Sequence, residues 1–435
     1  MAIKLNVGMI KNINISKIKS SPLFANIVSL GLVQLANYVI PILIIPFVVR
    51  ALGVEFFGKA SYAQNIISYL TIIINYGFEY SATQDVAIHR NNKQELKTIF
   101  WTVIRFKCIL LVVSFLALGV LFFAFQKVHE DPHLYIYAAL VNIGFVMFPT
   151  WFFQGMEKMK NMALFNFAIK ALGAILVILL VSVPTDYRNY VLILSLSYVV
   201  VGIISFFYVL KKYDLRNVEK NKELSQRVIR KGFPIFLNNV FISFYAVIGI
   251  TVIGIYLNDY YVGIYSGAYK IIQAVIMLTT MPVSFALFPV MSRKFNESKI
   301  EGWQFFKKSL MITFAVSLAI CFTVFVCSPF VVKIFLGSKF DAAIETLRLM
   351  SVIPSLVLTA TILTVQGLYA LQLQKYAPWV GFFAGLSGLC FNVLCIPLWG
   401  INAAVFAWIV AQLIEIVIVG FIILKYKKRY IVCSI

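Results

Sequence analysis

Charge is scarce in this sequence, and so are the residues from which most catalytic sites are built. Only 13% of its 435 residues are charged and 61% are hydrophobic, whereas a soluble domain carries about a quarter charged residues. The chain has three histidines and six cysteines, and it contains no CxxC, HExxH or P-loop motif. The composition excludes a water-soluble fold, and the sequence suggests no catalytic residue, no metal ligand and no cofactor.

Long apolar runs occupy most of the chain. A helix needs roughly 20 apolar residues to cross a bilayer, and lipid leaves no outside partner for the backbone polar groups of any open structure. We therefore predict an all-α polytopic membrane protein of about 12 transmembrane helices. The predicted spans lie near residues 24–49, 60–78, 99–125, 134–153, 163–183, 190–210, 233–257, 261–290, 309–332, 347–370, 377–397 and 401–424.

Lysine and arginine are distributed unevenly among the connections between these spans. Both termini and alternate loops hold 27 of them, while the other loops hold 6. Because positively charged loops remain in the cytoplasm, both termini are predicted to be cytoplasmic. The formal charge of +21 thus reflects membrane topology, and no basic module of the kind that binds nucleic acid is present.

The longest polar stretch, KKYDLRNVEKNKELSQRVIRK, falls between the sixth and seventh predicted spans. It divides the chain into two six-helix lobes, and a positively charged cytoplasmic linker is the simplest interpretation of it. The predicted layout is a cytoplasmic or interfacial N-terminus (1–23), an N-lobe (24–210), a basic linker (211–232), a C-lobe (233–424) and a basic cytoplasmic tail (425–435).

The two lobes show signs of duplication. LGVEFFGKASYAQNII (52–67) aligns with LNDYYVGIYSGAYKII (257–272) at an offset of 205 residues, and Gln154-Gly155 aligns with Gln366-Gly367. Six helices separate the copies, which is an even number, so both lobes should cross the membrane in the same direction. This pattern predicts a parallel internal repeat with a site between the lobes.

Polar residues gather on one face of the second predicted span and on the matching face of the eighth. At 100° per residue, each set occupies an arc of about 80°. A single amide can simply join two helices by hydrogen bonds, but the paired faces favour a polar cavity. The face on the second span comprises Ser61, Asn65, Ser68, Asn75 and Glu79, and the face on the eighth comprises Ser266, Lys270, Gln273, Thr280 and Ser284. The first span adds Gln34 and Asn37. Its Pro41 and Pro46 should bend it.

Charged residues within spans are costly, at roughly 2.5–3.5 kcal/mol near the bilayer centre. Lys270 and Lys170 lie well inside their spans and are the best candidates for a cavity that binds an anion. Arg105 and Lys107 begin the third span, where they could line a cytoplasmic mouth or reach the surface along their flexible stems.

Two glutamates complete the set of candidates. Glu79 and Glu415 could balance a cavity lysine or bind a coupling cation, and for Glu415 a structural ion pair is an equal alternative.

Four segments then point to a family: PFVVRALGVEFFGKASYAQNIISYL (46–70), WFFQGMEKMK (151–160), YYVGIYSGAYKIIQ (260–273) and PLWGINAAVFAWIVAQLIE (397–415). In order and spacing they resemble the polysaccharide-transporter, or O-antigen flippase, branch of the multidrug/oligosaccharidyl-lipid/polysaccharide exporter superfamily. The resemblance extends from about residue 24 to residue 424.

The resemblance implies a V-shaped fold of two lobes and a flippase of the bacterial inner membrane. Such a protein would translocate undecaprenyl-pyrophosphate-linked oligosaccharide units of O-antigen, capsule or exopolysaccharide by alternating access, with the phospholipid bilayer as its second partner and Na⁺ or H⁺ as candidate coupling ions. It also implies a cationic central cavity, which in this sequence would be formed by Lys270 and Lys170 with Asn65 and Gln273 as polar neighbours.

Two other functions are open at this point. A multidrug or cation antiporter of the same superfamily would be expected to have a carboxylate in the middle of an N-lobe span, whereas Glu79 lies near a helix end. A polysaccharide polymerase or ligase would need an extended outside loop with acid, base or cationic residues, and the predicted outside loops are short.

Overall fold

The structure, a computed structural model, describes residues 22–216 and 221–432, with side chains from residue 40 onward except at 42, 281, 285, 286 and 428–432. Its regular elements are all helices in this part of the chain. The side chains of Gln34 and Asn37 lie outside the described residues, as do most of the predicted N-terminal segment and parts of the predicted linker and tail.

The first helix, α1 (Pro22–Asn75), contains the first two predicted spans as two arms. The arms meet at Gly53, where the described backbone leaves helical geometry (φ 71°, ψ 177°). Glycine adopts a positive φ without the steric cost that a Cβ would impose. The chain therefore breaks at Gly53, while Pro41 and Pro46 lie within the continuous first arm.

A second break separates α1 from the short helix α2 (Phe78–Ile88). Tyr76 (φ 47°) and Gly77 (φ 76°) both have left-handed backbone geometry there.

The remaining helices follow the predicted spans and extend most of them into the connectors. They are α3 (Lys93–Ala124), α4 (Gln126–Glu130), α5 (Pro132–Met147), α6 (Thr150–Gly155), α7 (Met159–Leu180), α8 (Tyr187–Lys212), α9 (Lys222–Ala246), α10 (Ile248–Tyr256), α11 (Asp259–Glu297), α12 (Lys299–Phe335), α13 (Ala343–Met350), α14 (Ile353–Thr361) with the π-helix Ile362–Tyr369 after it, α15 (Ala377–Trp399) and α16 (Ile401–Val432).

Polar residues in the connectors set where several of these helices begin. Asn92, Asn221, Asn258 and Ser298 each accept a hydrogen bond from a backbone N–H in the first turn of the helix that follows. Such caps satisfy N–H groups that have no partner within the helix.

Nine helices in the described part of the chain are long and apolar enough to cross a membrane, and the bent pair α9–α10 (46°) makes a tenth. The two arms of α1 occupy the positions of the remaining two predicted spans. The prediction of an all-α polytopic membrane protein is confirmed. The parallel repeat and the division into lobes stay predictions.

Ion pairs join connectors that were predicted to lie on the same side of the membrane. Lys93 and Asp214 pair at 2.7 Å among the predicted cytoplasmic connectors, and the Lys93 ammonium lowers the pKa of the exposed Asp214 carboxyl. Lys127 and Asp259 pair at 2.7 Å among the opposite set. Between these two ends, α1 packs against α11 and brings the first half of the chain onto the second.

Candidate functional site

A cavity of about 540 Å³ lies among α1, α5, α7, α8 and α11. Most of its wall is apolar, as is usual for sites that bind organic ligands. Polar groups reach it from α1, α7, α8 and α11: Gln64, Ser68 and Thr71, then Lys170, then Ser195 and Tyr198, and finally Lys270 and Gln273.

Two lysines that are far apart in the sequence face this one cavity. The Lys170 ammonium donates a hydrogen bond to the Tyr198 hydroxyl (2.6 Å) and lies 4.8 Å from the centre of that ring. The Lys270 ammonium lies 4.7 Å from the centre of the Phe57 ring. The described lining includes no aspartate or glutamate. The cavity is therefore cationic, with both ammonium groups held against neutral aromatic rings.

Two more predicted residues, Gln273 and Ser68, also line this cavity. The Gln273 amide donates to the Tyr269 hydroxyl (2.7 Å), which fixes its position along α11. The Ser68 hydroxyl donates to the Asn65 carbonyl (2.6 Å) one turn earlier. Four of the predicted cavity residues are thus brought together in one place.

Asn65 and Thr280 do not line the cavity. The Asn65 side chain is 6% exposed and donates to the Thr251 hydroxyl on α10 (2.7 Å), so it joins the two halves of the chain. The Thr280 hydroxyl is buried and has no hydrogen-bond partner among the described residues.

The structure places Lys107 inside the protein. Its side chain is 2% exposed and its ammonium donates to the Asn75 amide oxygen (3.3 Å) and the Phe145 carbonyl (3.1 Å). Phe145 is a lining residue, so this charge lies directly behind the cavity wall. Arg105, by contrast, is exposed, with its guanidinium carbon 6.0 Å from the Trp101 ring centre.

The two predicted carboxylates lie elsewhere. Glu79 is exposed in the first turn of α2. Glu415 accepts hydrogen bonds from Thr364 (3.3 Å) and Gln412 (3.4 Å) and lines a separate cavity of about 60 Å³. Tyr245 lines that smaller cavity too. Glu415 has no cationic partner among the described side chains.

Several residues that shape the site have no distinguishing sequence pattern. Tyr198 and Phe57 hold the two lysines, yet aromatic residues are common throughout the chain. Asp85, which follows the second predicted span, is fully buried and pairs with Lys231 of α9. Burial of that carboxylate depends on the packing of α2 against α9, which the sequence does not reveal.

The chain is similar to known proteins over most of its length. Residues 23–295 match the family model described as polysaccharide biosynthesis protein. A protein of Escherichia coli (strain K12) named "Putative O-antigen transporter" is 27% identical over 364 residues, which cover 84% of this chain and 88% of that protein. A Shigella dysenteriae protein of the same name is 28% identical over 344 residues, covering 78% and 84% of the two chains.

Solved structures show the same fold at low identity. The lipid II flippase MurJ, in an inward closed conformation, matches with a TM-score of 0.68 and 13% identity over 91% of this chain and 87% of MurJ. An inward-facing multidrug resistance MATE family transporter of the MOP superfamily matches with a TM-score of 0.67 and 16% identity, over 93% and 99% of the two chains.

Proposed function

Since the chain belongs to the polysaccharide biosynthesis protein family, we propose that it is a flippase for lipid-linked oligosaccharides. Its cargo would be undecaprenyl-pyrophosphate-linked repeat units of O-antigen, capsule or exopolysaccharide. It would move them across the bacterial inner membrane by alternating access, with both termini in the cytoplasm. The names of its curated relatives and its shared fold with a lipid II flippase support this proposal.

The observation that carries the proposal is the pair of ammonium groups in one cavity without a described acidic residue. A phosphate oxygen about 4 Å from an ammonium gains on the order of 4 kcal/mol at an effective dielectric constant of about 20. The aromatic contacts that now hold Lys170 and Lys270 are worth only about 0.5–2 kcal/mol each, and the hydrogen bond from Lys170 to Tyr198 adds about 1.5–3 kcal/mol. A pyrophosphate would therefore displace the Phe57 ring from Lys270, and Lys170, whose ammonium has three donors, can pair with it without losing the Tyr198 hydroxyl.

The neutral part of the lining suits the sugars of such a cargo. Tyr190, Tyr198 and Tyr269 offer flat aromatic surfaces, and Gln64 and Gln273 offer amides that can bond to hydroxyl groups. The same lining disfavours a cationic drug, because no described carboxylate faces the cavity to pair with it. In this proposal the chain moves its cargo unchanged and is not an enzyme.

Energy for transport would enter through Glu415. A carboxylate buried in a membrane protein with only neutral partners is costly when charged, so this group should hold H⁺ or Na⁺ for at least part of the cycle. The Thr364 hydroxyl and the Gln412 amide N–H donate hydrogen bonds to Glu415, and Tyr245 lines the same small cavity. The proposal assigns coupling to this smaller cavity and cargo to the larger one.

The test is to remove the two cavity lysines in a strain whose surface polysaccharide depends on this protein. Lys170→Ala and Lys270→Ala should each lower export at least about tenfold, the effect of losing about 1.4 kcal/mol of cargo binding, and the double variant should abolish it. Lipid-linked repeat units should then accumulate in extracted membranes. Lys333→Ala, which removes an exposed lysine on α12, is the matched control.

Membrane insertion of each variant is checked by immunoblotting. Normal surface polysaccharide in the double variant, at normal protein level, would refute the proposed site.

A further inference from the structure

Two helices from opposite halves of the chain touch backbone to backbone beside the cavity. The second arm of α1 contributes Val54 and Gly58, and the start of α11 contributes Asp259 and Gly263. A Cβ added to Gly58 would lie 2.9 Å from the Asp259 carbonyl carbon and 2.9 Å from the Gly263 nitrogen, and closer still to the Asp259 oxygen. A Cβ on Gly263 would collide with the Val54 carbonyl in the same way. Only glycine at both positions permits so close a crossing.

An ion pair spans the same junction. Lys127 follows α3 in the first half of the chain, and its ammonium lies 2.7 Å from the Asp259 carboxylate in the first turn of α11. The two side chains are 30% and 19% exposed. The Lys127 ammonium also lies 5.0 Å from the centre of the Tyr62 ring, on the second arm of α1. One residue of the pair therefore belongs to each half, at the edge of the glycine crossing.

Phe57 connects this junction to the cavity. It precedes Gly58 in the chain, is fully buried and lines the cavity, and its ring lies 6.0 Å from that of Phe340. The Lys270 ammonium rests against the Phe57 ring. Phe57 therefore lines the cavity, contacts Lys270 and is the chain neighbour of Gly58 at the crossing between the halves.

We propose that these residues form a gate at the Phe57 end of the cavity, in which the Gly58–Gly263 crossing is the seal, the Lys127–Asp259 ion pair is the latch, and Phe57 positions Lys270. The gate opens when the two halves separate at the crossing. An anionic headgroup that takes Lys270 from the Phe57 ring removes one of the contacts that keep the gate closed. The cargo of this gate rests on the proposed function. Its position on the periplasmic side rests on the predicted orientation of the chain.

The gate can be tested without any cargo. Ser68, which lines the cavity, is replaced by cysteine in a protein whose native cysteines are replaced by alanine. The rate at which a membrane-impermeant thiol reagent labels this cysteine is then measured in spheroplasts and in inside-out vesicles. Lys127→Gln and Asp259→Asn should each raise the rate from the periplasmic side about two- to fivefold, the range expected for a partly exposed ion pair.

Two further variants show whether the pair itself is responsible. The charge swap Lys127→Asp with Asp259→Lys should return labelling toward the original rate. Arg188→Gln breaks an ion pair of similar length, Arg188 with Asp131 at 2.9 Å, on the same side but within the first half of the chain, and should change nothing. The ion pair is not a latch if both single variants are labelled at the original rate. The same conclusion follows if the charge-swap variant is labelled as fast as the single variants.

A cross-link provides an independent test, with folding monitored by size-exclusion chromatography. Cysteines at positions 127 and 259, joined by a reducible bifunctional thiol reagent, should stop glycan export until the link is reduced. Export at the normal rate by fully cross-linked protein would overturn the gate. If labelling behaves as expected while Lys270→Ala still exports glycan normally, the gate stands and the proposed cargo site fails, so the two proposals can be separated.

Discussion

Gly58→Ala adds one methyl group where two helices of opposite halves are in backbone contact. Gly119 on α3 provides a matched substitution, since a Cβ there would meet nothing within 4 Å. Both changes place alanine in a helix interior, where it is favoured over glycine by about 0.5–1 kcal/mol. Any difference in behaviour between Gly58→Ala and Gly119→Ala is therefore due to the close contact between α1 and α11.

The structure sets the size of that difference. A Cβ on Gly58 would be 2.9 Å from a backbone carbon, whereas carbon atoms pack best at about 3.5–4.0 Å. The obstacle is backbone and cannot rotate away, so α1 and α11 must separate. Overpacking of this kind costs about 1–3 kcal/mol in the closed form, whereas the helical gain is the same in the closed and open forms and cancels. That corresponds to about a 5- to 150-fold shift in the equilibrium between closed and open forms.

Labelling of a cavity cysteine at position 68 measures this shift directly. Gly58→Ala should label faster from the periplasmic side, while Gly119→Ala should label at the original rate and melt at the same temperature or slightly higher. If the two alanine variants label alike, the close crossing of α1 and α11 does not control access to the cavity, and the reasoning from backbone contact is wrong.

Three further predictions concern single side chains. Glu415→Gln should abolish the response of export to an imposed Na⁺ or pH gradient in membrane vesicles, and a retained response would exclude this carboxylate from coupling. Tyr198→Phe keeps the ring beside Lys170 and removes the hydroxyl that accepts its hydrogen bond. Because the cargo then supplies the acceptor for Lys170, export should fall less than about threefold, under 1 kcal/mol. The Lys93 ammonium lowers the pKa of the Asp214 carboxyl. Their ion pair therefore persists above about pH 4 and is lost as the pH falls through that lowered pKa. Because Asp214 is exposed, Asp214→Asn should leave the thermal unfolding temperature at pH 7 unchanged.

The spans could be predicted because their cause is local. A run of apolar residues long enough to cross the bilayer has to be a helix, whatever its neighbours are. The break at Gly53 falls in the predicted connection between the first two spans. The break at Tyr76 was not predicted, because tyrosine is also tolerated in intact membrane helices. The π-helix Ile362–Tyr369 likewise has no sequence signal, since it depends on how its turn packs against other helices.

The cavity residues also divide into those with a local signal in the sequence and those that depend on packing between helices. Lys170 and Lys270 were recognisable because a charge inside a span needs a reason of its own. Helical periodicity placed Asn65 on the same face as Ser68, but it could not show that Thr251 of another helix would fill the space beside Asn65. The burial of Lys107 was hidden for a similar reason, because its partners come from α1 and α5.

The size of the main cavity has a consequence for the work that transport requires. Its volume of about 540 Å³ is typical of sites for drug-sized ligands, about 300–1,000 Å³, and a glycan with its polyprenyl chain is far larger. The apolar chain has no need of shelter, because the bilayer already dissolves it at a gain of about 0.8 kcal/mol per methylene group. The protein would then need to bind and shield only the polar headgroup, while the polyprenyl tail stays in the bilayer throughout translocation.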